Sequence, residues 1–436
     1  MEPVPPSPPA RRLAPDLARG VMLLVIALAN VSWYLYGHTP GPVGPHPAPT
    51  STIDGVIQVV MLTLVDGRAF PMFSFLFAYG MVQFYTSRRA RGLPDPAVRS
   101  MLNRRHFAML VIGFLHALLL FVGDIVGAYA LAGLVIGALF FFRRTKILKV
   151  WSIVLGSLLG LFGLVALASG IFLELAKIDS GSGAGTLEVI DVTAGQSNYL
   201  LAMLSRVSFW AGSAVVSGLV MPIPLLLMIG WMAARVQLLE NLAQHRRTLV
   251  RIIAWTLPLG WAFGLVTGLQ QVGVVTFTYA PWLLSGMNSV AGFGTGIGYA
   301  CLFALVGARY EANPPRVVQA VSAVGQRSLS SYLWQSLLLA PLLSAWGFAL
   351  GDDIGTWQAM LLATAVWLAS VVICDQLARR GRRGPAEVVL RKITYGKPVA
   401  AVPPPVSPGV PAATPGLPPV PQPHQGFRPP PGPGSA

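Results

Sequence analysis

The chain predicts an all-α, polytopic transmembrane helix bundle of about ten spans, with both termini cytoplasmic. Three observations carry that expectation. Hydrophobic residues make up 54% of the 436 residues and charged residues only 11%, against about half and about a quarter in a soluble domain. Apolar runs of membrane-crossing length recur along the whole sequence. Finally, Lys and Arg alternate between loops. Of 31 such residues, all but Arg68, Lys177 and Arg206 fall within 1–19, 88–105, 143–149, 235–251, 309–327, 379–397 or the C-terminal tail, the pattern of cytoplasmic loops. Continuous apolar runs exclude a β-barrel, and their number excludes a soluble enzyme. The net charge of +15 is thereby explained by topology and contact with anionic membrane lipids, not by nucleic acid.

Taken in order, residues 1–15 are a Pro-rich disordered lead. Arg11-Arg12 precede a full-length apolar run without a small-residue cleavage site, so that run reads as an uncleaved signal-anchor. Spans are expected near 20–37, 69–87, 106–122, 125–142, 150–173, 209–234, 250–271, 284–308, 330–349 and 357–377, within a helical domain over 16–397. The Pro- and Gly-rich segment 39–50 is an external loop. Residues 54–67 suggest an interfacial or re-entrant helix broken near Pro71. The longest external loop, 176–206, holds Asp179, Glu188 and Asp191. Residues 398–436 are a Pro-rich, disordered cytoplasmic tail. Cys301 and Cys374 sit in apolar runs without CxxC spacing and read as small core residues.

One apolar run carries an imidazole and a carboxylate, His116 and Asp124. Ionisable groups at membrane depth are costly and face protein or a wet cavity. His116 lies eleven residues past Arg105, about 16 Å along a helix, with Gly113 and Gly123 permitting close approach of a neighbour. It serves either as an interhelical hydrogen-bonding group or as a proton acceptor for a hydroxyl. Asp124 either caps the next helix through Val126 or Gly127, or orients His116 or binds a substrate hydroxyl. Asp124 follows Gly123 on the tight turn between the spans at 106–122 and 125–142, and its eight-residue spacing, about 12 Å and about 80° on a continued helix, does not by itself bring it to His116.

Asn30, ten residues past Gly20, is a candidate for helix packing or for oxyanion contact. His38 reads as a surface histidine. Arg327, Ser331 and Gln335, with Ser328 and Tyr332 less closely aligned, form a polar stripe at i, i+4, i+8 that is either a path or groove for an anionic group or a helix-packing seam. Arg19 opens the first span, and Arg68 pairs with Asp66 or snorkels at the outer edge. The sequence has no phosphate-binding glycine loop, no HExxH and no nucleophile elbow, so neither a metal nor a redox cofactor is expected.

Together, Arg19-Gly20 with nine residues to Asn30, Phe75-Leu76-Phe77-x-Tyr79-Gly80, Gly113-x-x-His116, Gly123-Asp124-Ile125, Tyr129-Ala130-Leu131, Gly325-x-Arg327-x-Leu329-Ser330-x-Tyr332-x-x-Gln335-Ser336, Gly384-Pro385-x-Glu387 and Arg391-x-x-Thr394-Tyr395-Gly396 resemble the YeiB family of bacterial membrane proteins. The resemblance covers residues 13–397, with 235–397 similar to its domain of unknown function numbered 418. It implies a bacterial plasma-membrane location and a relation to transmembrane acyltransferases of the heparan glucosaminide N-acetyltransferase type. Those enzymes move an acyl group from cytosolic acyl-CoA to a hydroxyl or amine on the far side. In them the Arg-Gly-x9-Asn motif supplies an active-site asparagine, which falls on Asn30. The histidine that follows in the external region has no match here, since His38 differs in spacing.

The expected function is therefore O- or N-acyl transfer to a cell-envelope glycan or lipid. In that scheme His116, Asn30 and Asp124 form the catalytic group, and Arg105 and Arg327 contact the acyl-CoA phosphates. Arg19, Arg68, Ser331, Tyr332 and Gln335 bind substrate. The alternative is a transporter or flippase for an envelope lipid or small metabolite, using His116 as a proton relay. Neither the acceptor nor the oligomeric state is specified by the sequence.

Overall fold

In a computed structural model, residues 13–180 and 185–395 are described. The expected disorder of 398–436 and of the lead before Leu13 lies outside them. Leu13–Pro15 already belong to the first helix.

The elements, in chain order, are α1 (Leu13–Val31), a 3₁₀ turn (Ser32–Tyr34), α2 (Thr52–Leu64), α3 (Ala69–Arg89), α4 (Asp95–Leu119), α5 (Val126–Phe140), α6 (Thr145–Ala176), α7 (Gly185–Thr193), α8 (Tyr199–Val215), a π turn (Val216–Val220), α9 (Ile223–Arg235), α10 (Leu242–Gln271), α11 (Ser285–Arg309), α12 (Arg316–Gln326), α13 (Ser328–Leu343), α14 (Leu350–Asp353), α15 (Thr356–Arg379) and α16 (Pro385–Tyr395). Among the described residues there is no strand, only an isolated bridge between Pro40 and Pro47. The all-α expectation holds.

Among the described residues, seven segments are long and apolar enough to cross a membrane: Leu13–Tyr34, Thr52–Arg89, Thr145–Ala176, Tyr199–Val220, Leu242–Gln271, Ser285–Arg309 and Thr356–Arg379. The count of ten is not confirmed. The expected spans at 106–122, 125–142 and 330–349 correspond to α4, α5 and α13, which fall short in apolar content or length. The expected span 209–234 is divided, because the chain breaks at Pro222 between α8 with its π turn and α9. The lipid-facing character is plainest in α6, where Phe162, Phe172 and Leu175 are 66%, 63% and 79% exposed. An apolar surface of this kind suits hydrocarbon, not water.

The main core surrounds Met22 and Leu23 of α1, Phe75 and Tyr79 of α3, and Leu227 and Trp231 of α9. A second cluster joins Val31, Tyr34, Phe121, Leu339, Leu343 and Met360. The chain between α2 and α3 turns at Val65–Arg68 and lies against α11. An added Cβ at Gly292 would meet the Gly67 carbonyl at 2.8 Å, so only a residue without a side chain permits this approach. Ser51 caps α2, its hydroxyl accepting from Asp54 N at 3.1 Å. The break thus falls before Pro71, which sits inside the first turn of α3.

Candidate functional site

His116 occupies the last turn of α4, and that helix stops at Leu119. The chain then reverses through residues 120–125 and starts α5 at Val126. Asp124 is thereby carried back beside the imidazole. Its Oδ2 lies 2.8 Å from His116 Nδ1, with both residues buried. The 12 Å separation expected from a continuous helix is therefore corrected: the helix ends five residues before Asp124.

Asp124 Oδ1 also accepts from Gly127 N at 2.8 Å, capping the first turn of α5, and from Trp210 Nε1 of α8 at 3.3 Å. The cap and the orienting contact are simultaneous, not alternatives. Gly113 makes the crossing possible. A Cβ there would overlap Gly127 N and stand 2.6 Å from Asp124 Oδ1. Gly123 plays a different part from the one its spacing suggested. It lies in the turn, where a Cβ would meet the Phe121 ring at 2.7 Å instead of a second helix.

Tyr332 of α13 completes the cluster. Its ring centroid is 4.9 Å from that of His116, and its hydroxyl donates to Asp124 Oδ2 at 3.5 Å. His116 Nδ1–H donated to a carboxylate leaves Nε2 as the free lone pair, a tautomer assigned from this hydrogen bond. Nε2 is buried without a hydrogen-bond partner among the described residues. The arrangement can hold an imidazole in one orientation, as an aspartate does for a catalytic histidine.

A cavity of about 1730 Å³ leads towards this cluster. Its mouth gathers the basic ends of several helices: Arg19 of α1, Arg91 after α3, Arg105 of α4 and Arg235 of α9, with Glu240 and Glu387 beside them. Its inner wall is Ile26, Phe73, Phe77, Val126, Tyr129 and Tyr332. Along α3 the lining runs from Phe73 to Ser87, about 21 Å of helix, most of a hydrocarbon thickness of about 30 Å. The volume exceeds the roughly 300–1,000 Å³ of ordinary small-molecule sites.

The other sequence candidates are distributed as follows. Arg19 and Arg105 line the cavity, and Arg19 faces Asp16 at 3.8 Å. Asn30 is half-buried at the end of α1, with no hydrogen bond to His116 or Asp124. Arg68 is fully buried, donating to Gly260 O at 2.8 Å, to Asn288 Oδ1 at 3.0 Å and to the Asp66 carbonyl, so it ties the α2–α3 break to α10 and α11. Arg327 donates to Ala323 O at 3.1 Å and to the Arg382 carbonyl. Ser331 Oγ meets Cys374 Sγ of α15 at 3.4 Å, and Gln335 donates to Leu23 O of α1 at 2.9 Å. The stripe's polar groups thus meet α1, α12, α15 and the segment before α16, while Tyr332 alone turns to His116.

Three further residues join elements in ways that periodicity does not reveal. His46, in the loop after α1, is fully buried. Its Nε2 lies 2.7 Å from Asp66 Oδ2 and its Nδ1 3.4 Å from Ser32 Oγ. Arg206 of α8 donates to Leu118 O at 3.1 Å and stacks near Tyr199 and Trp346, closing the C-terminal end of α4. Glu387 of α16 accepts from Leu329 N at 2.9 Å and Ser330 N at 3.1 Å, capping the helix that carries Tyr332. Only Glu387 had a signal, its place in the Gly-Pro-x-Glu motif.

Comparison of the sequence with known proteins finds uncharacterized relatives. Residues 233–397 match the family described as protein of unknown function, DUF418. The chain is homologous to the uncharacterized protein YeiB of Escherichia coli (strain K12), at 27% identity over 413 residues, 88% of this chain and 96% of the relative. It is likewise homologous to the uncharacterized protein YxaH of Bacillus subtilis (strain 168), at 24% identity over 404 residues, 87% of this chain and 93% of the relative. An uncharacterized 39.9 kDa protein in the amylase 3' region of Bacillus acidopullulyticus is 25% identical over 384 residues, covering 88% and 93%.

Proposed function

We propose that this homologue of YeiB and YxaH is a bacterial plasma-membrane acyltransferase, moving an acyl group from cytosolic acyl-CoA to a cell-envelope glycan or lipid. The observation that supports this best is the His116–Asp124 pair at 2.8 Å, set beside the inner end of a deep cavity whose mouth is basic. A long pantetheine arm needs such a passage, and Arg19, Arg91 and Arg105 suit its phosphates.

In this reading His116 Nε2 takes the proton of the acceptor hydroxyl as the acceptor oxygen bonds to the thioester carbonyl carbon. Asp124 steadies the resulting imidazolium. When the tetrahedral intermediate collapses, the C–S bond breaks, and His116 returns the proton to the departing thiolate. Tyr332, at the cavity wall and against both members of the pair, positions the donor. Asn30 is the oxyanion contact suggested by the resemblance.

A transporter or flippase remains the second reading, favoured by one feature: the cavity extends over most of a membrane thickness. The two separate cleanly. Purified wild-type protein in nanodiscs should hydrolyse acyl-CoA slowly, and His116→Ala should lose that activity. In cells, the same variant should lack one acylated envelope species by lipid and glycan mass spectrometry. Proton-coupled movement of a lipid in proteoliposomes, without covalent change and without acyl-CoA turnover, would establish transport instead.

A further inference from the structure

A second polar feature lies beyond the imidazole. With Nδ1 committed to Asp124, the His116 ring directs Nε2 to its other side. Tyr34, in the 3₁₀ turn after α1, is 3% exposed, and its hydroxyl makes no hydrogen bond of ordinary geometry, with Ser336 of α13 and Arg206 of α8 as its polar neighbours. Both rings pack on Phe121, whose centroid is 6.3 Å from that of His116 and 5.3 Å from that of Tyr34. Neither His116 nor Tyr34 lines the large cavity, whereas Tyr332 does, so this feature adjoins the donor passage across the Tyr332 ring. Buried polar atoms are normally partnered, and leaving them unsatisfied is unfavourable.

We propose that His116 Nε2 and the Tyr34 hydroxyl frame an acceptor subsite that takes one alcohol hydroxyl group, an inference that rests on the acyl-transfer reading. The chemistry selects the class. Neutral His116 offers a lone pair at Nε2, and Tyr34 offers an O–H. An alcohol donates to the first and accepts from the second. A carboxylate has no proton for Nε2, and an ammonium, the form an alkyl amine mostly takes near neutral pH, has no lone pair for Tyr34. Phe121, Leu339 and Leu343 lie in the same buried cluster as Tyr34, where an uncharged group is favoured, and the nearby Arg206 guanidinium is already engaged by Leu118 O. The acceptor is then a sugar or lipid alcohol, and the product an ester rather than an amide.

The test uses full-length protein labelled with ¹⁵N-histidine in nanodiscs, with the His116 Nε2 resonance identified by its loss in His116→Gln. Glycerol should shift that resonance, whereas acetate and methylammonium should not. Tyr34→Phe keeps the ring against Phe121 and removes only the hydroxyl, and it should weaken the glycerol response at least ten-fold; Ser336→Ala should weaken it less. No glycerol shift, an equal shift with acetate or methylammonium, or an undiminished response in Tyr34→Phe overturns the subsite. Acyl-CoA turnover is followed separately. A glycerol shift sensitive to Tyr34→Phe in a protein with no turnover upholds the hydroxyl site and removes the acyl-transfer reading. Turnover without the shift does the reverse.

Discussion

Asp124 holds His116 from five residues beyond the end of the imidazole's own helix, at 2.8 Å, and with its other carboxylate oxygen caps the helix that follows. One side chain therefore joins the last turn of α4 to the first turn of α5. The orientation of the imidazole and the stability of the hairpin depend on the same group.

Replacing Asp124 should separate those two roles. Asp124→Ala strands the donors of His116, Gly127 and Trp210, each costing about 1–3 kcal/mol when buried and unsatisfied, with losses that do not simply add. Asp124→Asn keeps an oxygen for Gly127 N but offers His116 an amide in place of a carboxylate. Thermal unfolding should show a large drop for Ala and a small one for Asn, while both lose acyl-CoA turnover. Equal melting temperatures for the two variants would contradict the capping role.

Gly113 sets how closely α4 and α5 approach. In Gly113→Ala the new methyl overlaps Gly127 N, which is backbone and has no rotamer to change. Overpacking of this kind costs about 1–3 kcal/mol, and it also widens the His116–Asp124 contact. Gly212 has nothing within 4 Å of its Cβ position, so Gly212→Ala should leave stability unchanged or raise it slightly through helix propensity. Melting curves of the two variants in one detergent compare them directly. A Gly113→Ala protein that melts with wild type would show that the helices can part freely.

Arg68 illustrates a cation committed to backbone. Its guanidinium reaches Gly260 O, Asn288 Oδ1 and the Asp66 carbonyl at once. A hydrogen bond involving a charged group contributes about 1.5–3 kcal/mol, and a lysine, lacking the planar fork, cannot reproduce the set. Arg68→Lys should therefore lose most of what Arg68→Met loses in thermal stability, with little specific effect on donor binding. Full rescue by lysine would mean that charge alone matters there.

Legibility in the sequence differed from feature to feature for physical reasons. Apolar runs and basic loops disclose helices, because hydrocarbon demands internally satisfied backbone. His116 and Asp124 stand out because ionisable groups are rare in such runs. Their contact was hidden, since no proline or glycine lies between Leu118 and Val122 to mark the end of α4. The break in 209–234 was visible in Pro222 and Pro224, yet hydropathy alone runs through it. His46 and Asp66 sit where no periodicity applies, twenty residues apart on either side of α2. Periodicity grouped Arg327, Ser331 and Gln335 on one face, but it could not reveal which helices that face meets.

Arg105 and Arg327 should consequently respond in opposite ways. Both were expected to contact acyl-CoA phosphates, but only Arg105 lines the cavity, while Arg327 is 5% exposed and donates to two carbonyls. Arg105→Ala should weaken acyl-CoA binding several-fold with little change in melting temperature, and it should flatten the salt dependence of binding, since a partly exposed cation acts through a screened field. Arg327→Ala removes the link between the end of α12 and the chain before α16, so the melting temperature should fall first. Calorimetric titration with a non-hydrolysable acyl-CoA thioether, run beside thermal melts, reads both effects. If Arg327→Ala weakens binding at unchanged stability while Arg105→Ala does not, the donor phosphates lie at the start of α13 and not at the mouth formed by α1, α3, α4 and α9.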